Sequence, residues 1–109
     1  RRLAELRAAG HVVFVNITAD WCVSCKANEK TVFSTGEFAD ALHASDAVYL
    51  VGDWTDVDPT LTAYLQRNGA YGVPLYMVYA PGTVAGRQLP SLLSTSLVRD
   101  ALAQARHAR

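Results

Sequence analysis

The chain has 109 residues, 10 Lys+Arg against 10 Asp+Glu, and 50% hydrophobic residues. That length suits one domain with a real core, residues 1–109, and its apolar, uncharged balance excludes disorder. It also argues against nucleic-acid partners, since no basic excess exists to displace counterions from phosphate, and no apolar run approaches the roughly 18–20 residues of a membrane span.

Taken in chain order, Arg1 to Leu6 reads as an amphipathic helix that begins abruptly, without the apolar stretch of a signal peptide. A domain cut from something longer, or a mature fragment, is the expectation. The run His11 to Thr18 is apolar on both alternating faces, as a central parallel strand would be. Ala19-Asp20-Trp21 is a short connector, and Val23 to Phe33 has helical spacing without Gly or Pro. Ser34-Thr35-Gly36-Glu37 reads as a capping box, with Ser34 capping and Glu37 reaching back, which starts a second helical segment through about His43. Ala47 to Val51 reads as a second buried strand. Asp58 as N-cap and Pro59 at the first position predict a helix to about Asn68, with Gly69 behind it. Leu75 to Tyr79 is a third strand, Pro81-Gly82 a turn, Ala85 to Leu89 a short strand, and Thr95 to Arg106 a last helix. This α-β-α-β-α-β-β-α order, without repeat or linker, predicts an α/β domain around a central sheet.

Cys22 and Cys25 are the only cysteines and form one Cys-Val-Ser-Cys motif. A bridge across two residues closes a tiny loop and restricts the unfolded chain less than a long-range staple does. A lone pair so spaced points to redox exchange, to half of a metal site, or to a structural bridge. Structural zinc wants four protein ligands, and His11, His43 and His107 stand at no ligand spacing from the motif. Cys22 falls where a strand hands over to a helix, where unpaired N–H groups and the helix dipole stabilise an anion and lower a thiol pKa. Cys25, one turn in, is expected on the same side but less exposed. Pro74 follows Gly72-Val73 and opens a strand, a position where its missing N–H loses nothing; the sharper reading is a cis Val73-Pro74 bond beside the cysteines.

Ala19-Asp20-Trp21-Cys22-Val23-Ser24-Cys25-Lys26 and Gly72-Val73-Pro74 together resemble the thioredoxin fold family over nearly the whole chain. Glu29-Lys30, Val32-Phe33, Asp53-Trp54-Thr55, Asp58-Pro59 and Leu75-Tyr76 are similar to the branch formed by the C-terminal, periplasmic domain of the thiol:disulfide interchange protein DsbD and its relatives. The short cytochrome-maturation reductases are a neighbouring alternative. The resemblance implies a central mixed sheet flanked by helices and a redox-active Cys22–Cys25 disulfide with no other cofactor and no metal. It also implies a relay, in a membrane-anchored parent, from a transmembrane cysteine pair to a periplasmic acceptor domain. Carried over, Cys22 is the exposed attacking thiol, Cys25 the resolving one, and the Val73 backbone pairs with the partner's segment beside Pro74.

One departure stands out: Asn16 lies six residues before Cys22, where the family carries a buried Asp. Asn can neither exchange a proton with the resolving thiol nor raise its pKa by like-charge repulsion. Glu29, one turn beyond Cys25, matches a second acidic position and tunes the thiols alone, or water serves as base; the plain alternatives are a solvated Glu29 and an Asn16 amide buried and satisfied by backbone or water. Trp21 shields the cysteines or plugs a packing gap, Trp54 is core or a loop anchor rather than a binding surface, and Lys26 holds a thiolate or is simply exposed. Tyr64, Tyr71, Tyr76 and Tyr79 show no pattern that requires a ligand. Two other functions compete with disulfide exchange: a Cu(I) site made by the two thiolates, and a non-catalytic interaction domain with the bridge as a staple.

Overall fold

Strand β1 (Val12–Thr18) organises the molecule, because six of its seven residues are buried and it pairs on both sides. A computed structural model of the chain, which describes residues 2–82 and 86–107, gives the sheet order β2-β1-β3-β4. β1 runs parallel to β2 (Ala47–Asp53) and antiparallel to β3 (Leu75–Tyr79), and β3 pairs antiparallel with the two-residue β4 (Arg87–Gln88). The sheet is therefore mixed, as the resemblance implies. β1, apolar on both faces, carries one core on each side, which explains its unbroken run of Val, Phe and Ile.

Even-numbered β1 residues face one core. There Phe14, fully buried, meets Phe33, Phe38 and Tyr49 at ring-centroid distances of 5.8, 5.7 and 5.8 Å, under helices α3 (Gly36–Ala44) and α5 (Thr95–His107). Odd-numbered residues Val13, Val15 and Ile17 face the other core, with Leu65, Leu75 and Met77, beneath α1 (Arg2–Ala8) and α4 (Pro59–Arg67). Helix α2 (Val23–Asn28) continues directly into a π-helical turn at Glu29–Phe33. The predicted run Val23 to Phe33 is thus helical throughout but widens halfway, a distortion common at functional sites.

Three expectations need correction. The cap of α3 is Thr35, whose hydroxyl accepts from Phe38 N at 3.3 Å, while Ser34 donates instead to Lys30 O at 3.2 Å. The preceding π turn uses one more residue than an α-helix would, which moves the cap one position along. β2 is not a buried strand but the half-exposed edge of the sheet. Of the expected strand near Ala85 to Leu89, only Arg87–Gln88 forms a strand, although Leu89 N still donates to Tyr76 O at 2.9 Å; Ala85 lies outside the described residues. Asp58 does cap α4, accepting from Leu61 N at 2.9 Å, and Gly69 leaves it at φ +73°.

Candidate functional site

The cysteines sit where β1 leaves the sheet. Trp54 N donates to Thr18 O at 2.7 Å, and Cys22 N donates to Ala19 O at 3.1 Å, so the connector Ala19-Asp20-Trp21 is a tight turn. Cys22, in extended conformation, is the N-cap of α2, and its Sγ accepts the backbone N–H of Cys25 at 3.2 Å. Serine or aspartate usually takes this role with an oxygen; here a sulfur does it. The two cysteines are disulfide-bonded, with Cα atoms 5.2 Å apart.

Exposure separates the pair less than expected. Cys25 is 1% exposed, and Cys22, read from the resemblance as exposed, is only 6% exposed. Cys22 shares a small apolar cluster with Ala19 and Cys25, closed by Val73. The Val73–Pro74 bond is cis, the sharper of the two readings of Pro74. The chain thus brings Cys22, Cys25, Val73 and Pro74 together from two segments about fifty positions apart.

Several exposed apolar side chains flank this buried bridge in sequence. Trp21 is 55% exposed, Val23 85% and Tyr71 fully exposed. Trp21 is held from behind: its Nε1 donates to Thr55 O at 3.0 Å, and its ring lies against the Trp54 ring with centroids 5.9 Å apart. Thr55 Oγ1 accepts from Asp20 N at 2.9 Å, and both Thr55 N and the Thr55 hydroxyl donate to Asp53 Oδ1. Those two hydrogen bonds, with the side-chain bond the larger cause, hold the Asp53 carboxyl below the usual range. Trp54 is buried, its Nε1 donating to Thr62 Oγ1 at 2.8 Å, so it is the loop anchor expected.

Beneath the site, Asn16 is 3% exposed and donates through Nδ2 to the Tyr49 hydroxyl at 2.8 Å. Burial pushes the Tyr49 phenol up, while the Asn16 hydrogen bond works the other way. Glu29 opens the π turn; its carboxylate accepts from Thr18 Oγ1 at 3.5 Å and meets Lys26 Nζ at 3.5 Å. Lys26 reaches Asp20 at 3.5 Å as well, and with about half its side chain exposed these pairs are worth little. Glu29 is therefore not fully solvated, and it touches the cysteine pair through its backbone, its N–H donating to Cys25 O, while its carboxylate turns to Thr18 and Lys26.

Three residues escaped the sequence reading. Asn28, 2% exposed, donates to the Tyr76 hydroxyl at 2.8 Å and to Ser91 O at 2.7 Å, and accepts from Leu93 N at 3.2 Å. Nothing local marks it, since all three partners lie 48 to 65 positions away. Thr55 had a signal: Asp-x-Thr is an Asx-turn spacing. Tyr71 precedes Gly72-Val73-Pro74, and only the fold shows that it stands clear of the core. Among the described residues no group of three or more His, Cys, Asp or Glu could hold a metal ion, and nothing in the site favours Cu(I) over disulfide exchange.

Comparison with known proteins agrees with this geometry. Residues 1–81 match a family described as Thioredoxin-like. Among curated proteins, the thiol:disulfide interchange protein DsbD of Cronobacter sakazakii is 36% identical over 107 residues, 98% of this chain and 17% of the relative. DsbD of Pseudoalteromonas atlantica is 35% identical over 79 residues, 72% of this chain and 13% of the relative. The chain therefore spans under a fifth of the length of these relatives. Among solved structures, the C-terminal domain of Neisseria meningitidis DsbD in the oxidised form superposes with a TM-score of 0.73 at 22% identity, over 95% of this chain and 86% of that one. A thioredoxin from Thermus thermophilus gives 0.62 at 21%, over 97% and 79%.

Proposed function

The chain belongs to the thioredoxin-like family, and from that premise we propose that it is the thiol–disulfide exchange domain of a DsbD-type reductive relay. The observation that carries this reading is the Cys22–Cys25 bridge at the N-cap of α2 with Val73 packed against it. Once reduced, a Cys22 thiolate receives the Cys25 N–H that its sulfur already accepts, and an anion at that place is favoured by the helix end. It attacks a partner disulfide, forming the mixed disulfide and releasing one partner thiolate. Cys25 then attacks Cys22 Sγ, the second partner thiolate leaves, and two electrons have passed to the partner. In this reading the partner segment lies against the backbone at Val73, beside the cis bond to Pro74.

In this proposal the domain serves the periplasmic side of a membrane-anchored parent, is re-reduced by a transmembrane cysteine pair, and hands electrons to a periplasmic acceptor domain. Cytochrome c biogenesis is one outlet for those electrons. The DsbD relatives at 35–36% identity support this reading.

Exchange with an oxidised protein substrate tests it. Cys22→Ser is expected to abolish exchange, and Cys25→Ser to trap the partner as a mixed disulfide; wild-type rates in Cys22→Ser overturn the assignment. Equilibration in glutathione buffers tests direction. A potential at or below about −220 mV fits a reductant, and one near about −120 mV reverses the flow.

A further inference from the structure

A groove of about 670 Å³ opens between α1 and α4, on the sheet face away from α3 and α5, and none of the redox residues lines it. Its size falls in the range of small-molecule sites, roughly 300–1,000 Å³. The walls are apolar, built by Val15 and Ile17 of β1, Leu50 of β2 and Leu61 of α4. The polar side chains at it are cationic or neutral. Arg2, Arg7 and Arg67 border it, and among the described residues no acidic side chain does. Arg2 and Arg67 make no ion pair among the described residues, and the Arg67 guanidinium sits 5.8 Å from the Tyr64 ring centroid, an arrangement that orients it.

Tyr64 and Tyr79 add a second donor. Their hydroxyls are 2.6 Å apart, and both residues line the groove. One hydroxyl donates to the other, which consumes one of the two protons; the accepting tyrosine keeps its own proton for a further acceptor. Burial pushes the Tyr64 phenol further from ionisation. Apolar walls, the Arg2 and Arg67 guanidinium groups and a spare hydroxyl proton are what an anion with an apolar tail requires.

We propose that this groove is a second binding site, separate from the cysteines, for an amphiphilic monocarboxylate: the tail lies on Val15, Ile17, Leu50 and Leu61, and the head on Arg2, Arg67 and the Tyr64–Tyr79 pair. Decanoate is the probe, followed by two-dimensional NMR of the chain. Binding with shifts at Ile17, Leu50 and Leu61 is expected, weakened about tenfold or more by Arg2→Gln with Arg67→Gln, since hydrogen bonds to a charged group are worth roughly one to two decades of affinity. Decan-1-ol, with the same tail and no charge, should bind both forms equally, and Leu61→Trp should remove both ligands by filling the groove. Disulfide exchange should be unchanged in Arg67→Gln. Absence of shifts at millimolar decanoate, shifts elsewhere, or equal decanoate affinity in the double variant overturns the proposal. So does self-association that Arg67→Gln abolishes without any decanoate binding, which gives the groove to a second copy of the chain.

Discussion

Asn16 Nδ2 donates to the Tyr49 hydroxyl at 2.8 Å, while Asn16 Oδ1, equally buried, receives no hydrogen bond among the described residues. A buried carbonyl left unpaired costs about 1–3 kcal/mol, so this β1 position carries a cost that packing alone would not select. Asn16→Asp puts a carboxylate in the same desolvated place. Desolvation raises its pKa above the unfolded value of about 3.9. Its neutral form is therefore favoured in the fold, and the variant's stability is fully present below that unfolded value and lost as pH rises through the folded one. Asn16→Asp is expected to approach wild-type stability at pH 4 and to fall about 2–4 kcal/mol below it at pH 8. Urea unfolding of both proteins at the two pH values checks this; a pH-independent difference would show that the carboxylate reaches water.

Asp53 titrates with the opposite sign. Its pKa is lowered by the Thr55 hydroxyl and N–H, so its contribution to the loop is present above the ordinary value of 3.8 and lost as pH falls through the folded-state value. What is lost is positional, because Thr55 also holds Asp20 N and Trp21 Nε1. Acrylamide quenching of Trp21, measured in a Trp54→Phe background, is expected to rise as the pH drops below 3.8. Asp53→Ala should show the higher quenching at pH 7 and little further change on acidification. Identical quenching curves in the two proteins would disconnect Asp53 from the tryptophan.

Elements written in local chemistry were legible in the sequence. Asp58-Pro59 and Gly69 bracket α4 as expected, and β3 begins and ends at Leu75 and Tyr79. The Cys22/Cys25 and Val73-Pro74 juxtaposition was posed as the sharper reading of Pro74 and then supported by resemblance, because no periodicity brings residues fifty positions apart together. Features decided by tertiary packing were not legible. The shift of the cap from Ser34 to Thr35 follows from the π turn, and an extra residue per turn leaves no mark in an apolar pattern. β2 looks buried in sequence because Ala47, Val48 and Leu50 are apolar, but its place at the sheet edge leaves it half-exposed. The low exposure of Cys22 depends on Val73 closing over it, again a long-range contact.

Asn28 is the polar tie between α2 and the segment entering α5. It makes hydrogen bonds with Tyr76, Ser91 and Leu93, and is itself only 2% exposed. Asn28→Ala removes all three and leaves the Tyr76 hydroxyl and two backbone groups to find other partners. At about 1 kcal/mol or more for each, a loss of about 3 kcal/mol is expected, which for a domain of this size lowers Tm by roughly 12 °C or more. Chemical denaturation checks the first figure and calorimetry the second. A loss below 1 kcal/mol would mean that water enters the site and pairs with the freed groups.

Tyr71 is fully exposed two residues before Val73, and Trp21 and Val23 also present apolar surface beside the bridge. A side chain with no buried area contributes little to folding, so Tyr71→Ser should change stability by no more than about 0.5 kcal/mol. An exposed aromatic next to a docking edge gains its burial only when a partner segment covers it, and aromatic anchors of this kind carry much of an interface's energy. Exchange with a folded protein disulfide is therefore expected to slow about fivefold to thirtyfold in Tyr71→Ser, corresponding to roughly 1–2 kcal/mol. Exchange with a small disulfide such as oxidised glutathione, too short to cover residue 71, should keep its wild-type rate. Equal slowing with both substrates would place the effect at Cys22 itself, and no slowing with either would leave Tyr71 outside the docking surface.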